Sequence, residues 1–276
     1  MDWYLNKKVV ITGGSSGIGK AAAILCARFG ANVCILSRDE SRCKAALGEI
    51  QQHAKKQDQT IFYCAVDVSK REQVRKNTPE IVKRLGGIDL LLNCAGISWP
   101  GYFHTIPDDV WDSIIQIDYM GTVNTVRSFL PYFKEQKHGS IANISSALGY
   151  MGLFGYAAYS PAKFAIVGFS ECLRMDLMPW NIKISVIYPA DTDTPQLAEE
   201  NKIKPAETRA LAGTIKVMPP ETVARAMLEG VSKGKFTIVP GLMNWFTCFM
   251  NRHVPSVVWM IVAGDLKKYW KKHPVV

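Results

Sequence analysis

The chain has no Cys-x-x-Cys pair. Its seven cysteines (Cys26, Cys34, Cys43, Cys64, Cys94, Cys172 and Cys248) are scattered and odd in number, so neither a disulfide framework nor a zinc site is expected. A reducing, cytoplasmic compartment and no metal follow as expectations. An apolar leader is missing too: MDWYLNKKVVITGG runs straight into a strand-like segment, so neither a signal peptide nor an N-terminal membrane span is expected. There is no internal repeat and no nucleic-acid motif, which excludes solenoids and nucleic-acid partners. Acidic residues are in deficit, 24 against 33 Lys and Arg, leaving a net charge of +9. Such an excess suits an anionic cofactor or an anionic membrane face as well as an ordinary solvated surface. What remains, 276 residues of which 48% are hydrophobic, is enough for one large α/β domain with a sizeable core.

Short apolar runs alternate with helical stretches. Residues 8–12 (KVVIT), 32–37 (NVCILS), 61–66, 88–92, 140–144, 183–187 and 236–239 read as strands. Residues 20–29, 40–53, 70–85, 107–136, 156–178 and 220–231 read as helices between them. The alternation predicts a Rossmann-type, doubly wound α/β fold: a seven-stranded parallel sheet with helices on both faces. Residues 1–240 are expected to form that domain. Within it, the polar, Pro-punctuated stretch 191–218 is expected to be a lid or substrate loop.

Between the first strand and the first helix lies Gly13-Gly14-Ser15-Ser16-Gly17-Ile18-Gly19. Glycines there let a backbone approach a pyrophosphate, and free N–H groups at a helix start favour its charge. The spacing is Gly-x-x-x-Gly-x-Gly rather than Gly-x-Gly-x-x-Gly. At the end of the second strand, where an acidic residue would hold a ribose 2′-OH, stand Ser37 and Arg38. A cation suits a 2′-phosphate, so NADPH is expected over NADH, unless Arg38 merely pairs with Asp39 or Glu40. After the fourth strand, Asn93-Cys94-Ala95-Gly96 offers small residues beside which a cofactor can lie, with Cys94 read as a buried filler.

The stretch 146–163, SALGYMGLFGYAAYSPAK, carries the chemistry. Tyr159 and Lys163 are four apart, so on a helix they share a face. A cation beside a phenol favours phenolate, which would bring Tyr159 toward use as a proton donor or acceptor near neutral pH. Ser146, just after the fifth strand, can present its hydroxyl to the same point.

Taken together, the glycine turn, residues 93–96, Ser146 and the Tyr159/Lys163 pair resemble the short-chain dehydrogenase/reductase family over about residues 6–240. The resemblance implies that Tyr159 is the general acid/base, that Lys163 lowers its pKa and holds the nicotinamide ribose, and that Ser146 hydrogen-bonds the substrate carbonyl. It implies a cofactor site lined by Gly13, Ser15, Ser16, Gly17, Ile18 and Gly19, with Asp67 and Val68 flanking the adenine. Asn93, Ala95 and Gly96 would then lie along the cofactor, and Pro189 and Thr194 at its nicotinamide end. It also implies a homo-oligomer built through the helices at 107–136 and 156–178, ordinary core contacts of their apolar faces being the alternative. One departure stands out: Asp118 occupies a slot where the family usually has Asn. A carboxylate there would raise the pKa of Lys163 and oppose its task.

Residues 188–213 (YPADTDTPQLAEENKIKPAETRALAG) and 152–171 resemble a narrower group, the 3-ketodihydrosphingosine reductases. That resemblance implies NADPH-dependent reduction of a long-chain amino ketone. Another lipophilic carbonyl (a steroid, a retinoid or a 3-oxoacyl thioester) and a non-catalytic NADP-binding module stay open. Asp191, Asp193, Glu199 and Glu200 offer charge to a substrate ammonium; one of the first two is expected to face it, solvated loop carboxylates being the plain alternative. In the tail, 241–276, two apolar pieces (242–250 and 254–263) are split by Asn251, Arg252 and His253, each shorter than the roughly 20 residues a span needs. With Trp245, Trp259, Trp270 and Lys267, Lys268, Lys271 and Lys272, the tail is expected to dock peripherally on the cytoplasmic face of a membrane (endoplasmic reticulum in a eukaryote). A core cap, a subunit interface or a spanning hairpin are the alternatives.

Overall fold

The computed structural model describes residues 1–212 and 216–274. Among them, seven parallel strands form one sheet: β1 (Lys8–Thr12), β2 (Asn32–Ser37), β3 (Ile61–Ala65), β4 (Leu90–Asn93), β5 (Gly139–Ile144), β6 (Ile182–Ile187) and β7 (Thr237–Ile238). Their order is β3-β2-β1-β4-β5-β6-β7. The helices are α1 (Gly17–Arg28), α2 (Glu40–Gln52), α3 (Arg71–Leu85), α4 (Asp108–Ile114), α5 (Gly121–Gln136), α6 (Tyr159–Asp176), α7 (Pro195–Ile203), α8 (Ala206–Ala212), α9 (Pro220–Ser232), α10 (Leu242–His253) and α11 (Pro255–Lys272).

The two-residue period of a strand fixes both cores. β1 sends Val9 and Ile11 to one face, where they meet α1, α2 and α9, and Val10 to the other, against α3, α5 and α6. On the second face the fully buried Phe129 and Phe133 of α5 each contribute about 2 kcal/mol by leaving water. The strand order reverses between β2-β1 and β4-β5, which opens a crevice at the carboxyl ends of β1 and β4.

Three segments differ from the sequence expectation. The stretch read as one helix over 107–136 is broken: α4 passes into a π-helical turn, Ile115–Met120, before α5. Gly121 then lets the chain close on Val68, since a Cβ there would lie 2.7 Å from Val68 Cγ2. A π turn re-aims side chains, and this one turns Asp118 fully inward. The stretch 191–218 is largely helical rather than a loop. Thr194 caps α7 by accepting from the Leu197 N–H at 3.2 Å, and Pro195 takes the first turn, where its missing N–H costs nothing. Residues 213–215 of that stretch lie outside the described residues, as do 275 and 276 of the tail. The tail's polar trio, Asn251, Arg252 and His253, is helical; the break falls at Val254, before Pro255.

Candidate active site

Thr12 at the end of β1 accepts hydrogen bonds from the backbone N–H groups of Cys94 and Ala95, both at 3.1 Å, and so clamps two strand ends together. Gly13 has φ +65° and no room for a side chain, because a Cβ would lie 2.8 Å from Ala95 N. At Gly19 a Cβ would collide with the Gly13 carbonyl. α1 begins at Gly17, and Ser16 at its cap makes no side-chain hydrogen bond to it. Its first N–H groups are therefore left for an anion beside a close-approach backbone cradle, and these residues fit a dinucleotide pyrophosphate.

One cavity gathers Gly13, Ser16, Gly17, Ile18, Gly19, Ala95, Gly96, Ser146, Tyr159, Lys163, Pro189, Asp191 and Thr194, all expected from the sequence. Ser146 Oγ accepts from the Leu148 N–H at 3.1 Å, which leaves its proton free to donate into the cavity. Lys163 is buried, 5.3 Å from the Tyr159 ring centre, and donates to the Ile144 carbonyl at 3.3 Å. Its Nζ lies 3.0 Å from Asp118 Oδ2. That oxygen has no well-aligned hydrogen bond, so charge holds the pair, while Oδ1 accepts from the Ile97 N–H at 2.8 Å. Burial raises the Asp118 carboxyl pKa against the opposing pull of Lys163. Burial works to lower Lys163, but Asp118 and Tyr159 outweigh it and the amine is held above its ordinary value.

Tyr159 departs from expectation. Lys163 and Ser146 do lower its pKa, but burial, with Asp118 and Glu200, pushes it up to about 12. The phenol therefore keeps its proton at neutral pH, the form needed in an acid that protonates an alkoxide.

Other expected residues lie apart from the cavity. Asn93 is buried in a structural relay: it donates to Asn143 Oδ1 at 2.8 Å and accepts from Thr125 at 2.7 Å. Ser15 donates to Ser37 at 2.9 Å. Asp67 accepts from the N–H and hydroxyl of Ser69, and Val68 packs on Gly121. Arg38 is exposed and does not pair with its acidic neighbours: Asp39 holds Arg42 at 3.4 Å and Glu40 holds Lys44 at 2.9 Å.

Of the two carboxylates expected to face an ammonium, Asp193 lies apart from the cavity. It is exposed at the surface and outside the cavity, because its backbone N–H ties to Met218 and the chain turns its side chain outward. Asp191 does line the cavity, 3.9 Å from the buried Lys204 Nζ. Glu200, named from the sequence among four carboxylates but set behind Asp191 and Asp193, is 7% exposed and lines the cavity from α7. Sequence reasoning did not place the tail there: Met243, Asn244 and Thr247 of α10 complete the wall. Asn244 anchors them, donating to the Tyr188 carbonyl at 2.7 Å and accepting from Tyr150 OH at 2.8 Å. α11 returns to α8, where Trp270 Nε1 donates to Glu207 at 3.2 Å.

The family model of the short chain dehydrogenases matches residues 7–205. The chain is 40% identical over 248 residues to a 3-dehydrosphinganine reductase of Danio rerio, covering 88% of this chain and 75% of the relative. It is 40% identical over 247 residues to a 3-ketodihydrosphingosine reductase of Mus musculus, covering 88% and 74%. A 3-ketodihydrosphingosine reductase of Dictyostelium discoideum is 34% identical over 96% of this chain and 90% of its own. Among solved structures, a short chain dehydrogenase/reductase from Burkholderia phymatum in complex with NAD superposes with a TM-score of 0.80 at 23% identity, covering 93% of this chain and 96% of that one. At that identity the likeness speaks for the fold.

Proposed function

The chain belongs to the short-chain dehydrogenase family, oxidoreductases that act on a carbonyl or hydroxyl with a nicotinamide cofactor, and from that premise we propose that it reduces 3-ketodihydrosphingosine to dihydrosphingosine with NADPH. The observation that carries this reading is one cavity holding Ser146, Tyr159 and Lys163 beside the glycine cradle, in a chain 40% identical to reductases of that name. A nicotinamide held by the glycine cradle and Lys163 would supply the hydride for C3. Ser146 donates to the ketone oxygen and polarises it, and Tyr159 gives its proton to that oxygen as negative charge develops. Lys163 sets the phenol's acidity and positions the ribose. The preference for NADPH is supported by Arg38, whose acidic neighbours are already paired, at the end of β2 where a 2′-phosphate would lie.

Peripheral docking on an anionic membrane belongs to the same reading. It is supported by the exposed Leu242, Met243, Trp245 and Phe246 of α10 and Trp259, Met260 and Ile261 of α11, with exposed Lys267, Lys271 and Lys272 nearby. Among the described residues no helix is long and apolar enough to cross a membrane. Exposed Phe164 and Met175 on α6 support a homo-oligomeric contact through that helix.

The test is purified protein with NADPH and 3-ketodihydrosphingosine, followed at the nicotinamide absorbance, with the product identified by mass. Dihydrosphingosine is the expected product. Turnover confined to a steroid, a retinoid or a 3-oxoacyl thioester overturns the substrate assignment, and no NADPH oxidation on any of them overturns the activity.

A further inference from the structure

The cavity holds a charge that the reduction leaves unused. Glu200 lies on the buried face of α7 with Leu197 and lines the same cavity as Ser146 and Tyr159. Both its oxygens are met by neutral donors: Tyr156 OH to Oε2 at 2.8 Å and Gln196 Nε2 to Oε1 at 3.1 Å. Among the described residues no Lys, Arg or His comes within ion-pair distance of it; the buried Lys204 ammonium lies 5.9 Å from the Tyr156 ring centre and leans to Asp191 at 3.9 Å, and Asp118 has Lys163. A buried carboxylate without a counter-cation carries a desolvation cost that neutral hydrogen bonds offset only in part. A cation delivered by the ligand removes that deficit.

The position suits such a cation. Tyr156, which holds Glu200, has its ring centre 6.0 Å from that of Tyr159. The carboxylate thus stands one tyrosine away from the proton donor, in the same cavity. Asp191, already neutralised by Lys204, is the weaker candidate. We propose that Glu200 binds the ammonium of a long-chain 2-amino-3-ketone and is the residue that selects amino ketones over plain ketones. This rests on the reductase reading above.

Two arms separate the two ideas. In the first, kcat/KM is measured with NADPH on the amino ketone and on its des-amino analogue of equal length, for the parent protein and for Glu200→Gln. The Gln side chain keeps the shape and can still accept from Tyr156. Near neutral pH, where Tyr159 carries its proton and the upward pull of Glu200 on it does not limit the rate, the amino ketone should lose about 10- to 100-fold, mainly in KM, while the des-amino ketone loses far less and NADPH affinity stays within about twofold. Tyr156→Phe should keep most of the amine preference, because the charge remains; a merely structural Glu200 would make the two variants alike. In the second arm, calorimetry compares dihydrosphingosine with its des-amino alcohol as ligands of the NADP-bound protein. The parent should prefer the amine and Glu200→Gln should not. A parent without that preference overturns the proposal even if the variant does not fold, and so does an equal loss on both substrates. A parent that reduces neither ketone, yet prefers the amine and loses that preference in Glu200→Gln, refutes the reductase reading while upholding Glu200.

Discussion

Replacing Asp118 by Asn tests the electrostatics of the proton donor with almost no change of shape. The carboxylate is fully buried, 3.0 Å from Lys163 Nζ, which lies 5.3 Å from the Tyr159 ring centre. Carboxylate and ring are thus no more than about 8 Å apart. At that separation and an effective dielectric constant of about 20, Coulomb's law gives about 2 kcal/mol in favour of the protonated phenol, more than one pH unit. Removing the charge lets Lys163 act unopposed and lowers Tyr159 from its position near 12. In reduction the phenol must carry its proton, so the rate is flat below its pKa and falls above it. Asp118→Asn should therefore keep or raise kcat/KM near neutral pH and move the basic limb down by about 1 pH unit or more. The variant also leaves Lys163 buried with the Ile144 carbonyl as its remaining contact, which should lower stability by about 3 kcal/mol. Because Asp118 holds Lys163 above its ordinary value, the pair's contribution is full below that value and is lost as pH rises through the raised one. The stability gap between parent and variant should thus narrow above about pH 10.5. The profile is best measured on the des-amino ketone with saturating NADPH, since the substrate's own ammonium would titrate in the same range. An unmoved basic limb, or a collapse of activity in a folded, cofactor-binding variant, would refute the reasoning and make the carboxylate itself a participant.

Tyr159→Phe should cost at least about a hundredfold in turnover while NADPH titrates as in the parent; near-normal turnover would remove Tyr159 from the acid's role. Arg38→Asp should reverse the preference for NADPH over NADH, read from KM for each, and equal affinity in the parent would sink the assignment. Reversing Lys267, Lys268, Lys271 and Lys272 to Glu should abolish co-flotation with anionic vesicles at low salt, each lysine near the surface being worth about 1 kcal/mol, and leave NADPH binding intact. Full-length protein indifferent to such vesicles would make the tail structural.

The sheet was legible because its strands are short apolar runs separated by helical stretches, and the reactive pair because four residues is about one turn of helix. Other features depended on contacts that no local pattern records. The π turn that buries Asp118 has no propensity signal, only a close approach between Gly121 and Val68. Asp193 and Glu200 look alike in a polar stretch. Thr194-Pro195 was the missed signal: a capping hydroxyl and a first-turn proline start a helix there, and helical phase then puts Glu200 on the same face as Leu197. In the tail, Pro255 marked the break, while Asn251, Arg252 and His253 drew attention by polarity alone although helices tolerate all three. Asn244 sits inside the run 242–250, which the sequence presents as one apolar piece. In the fold it is the bolt that fixes α10 to the cavity wall.

On the proposed reading, the polarity of the cavity dictates how the substrate must lie. The lining joins polar Ser146, Tyr159 and Glu200 with apolar Leu153, Met151 and Met243. Met243 lines the cavity and is also 70% exposed, so the apolar lining reaches the surface on the side of α10. The amino-ketone head therefore goes inward and the alkyl chain outward along α10. Each methylene drawn from a bilayer into water costs about 0.8 kcal/mol, so ten of them cost about 8 kcal/mol, more than a few exposed side chains can return. If the exposed apolar faces of α10 and α11 rest in the membrane surface, those methylenes never leave lipid and only the head group has to move. Docking then acts on catalysis directly, through KM. The lysine-reversed protein should need far more ketone to reach half-maximal rate on vesicles, yet match the parent on a short-chain ketone that is soluble in water.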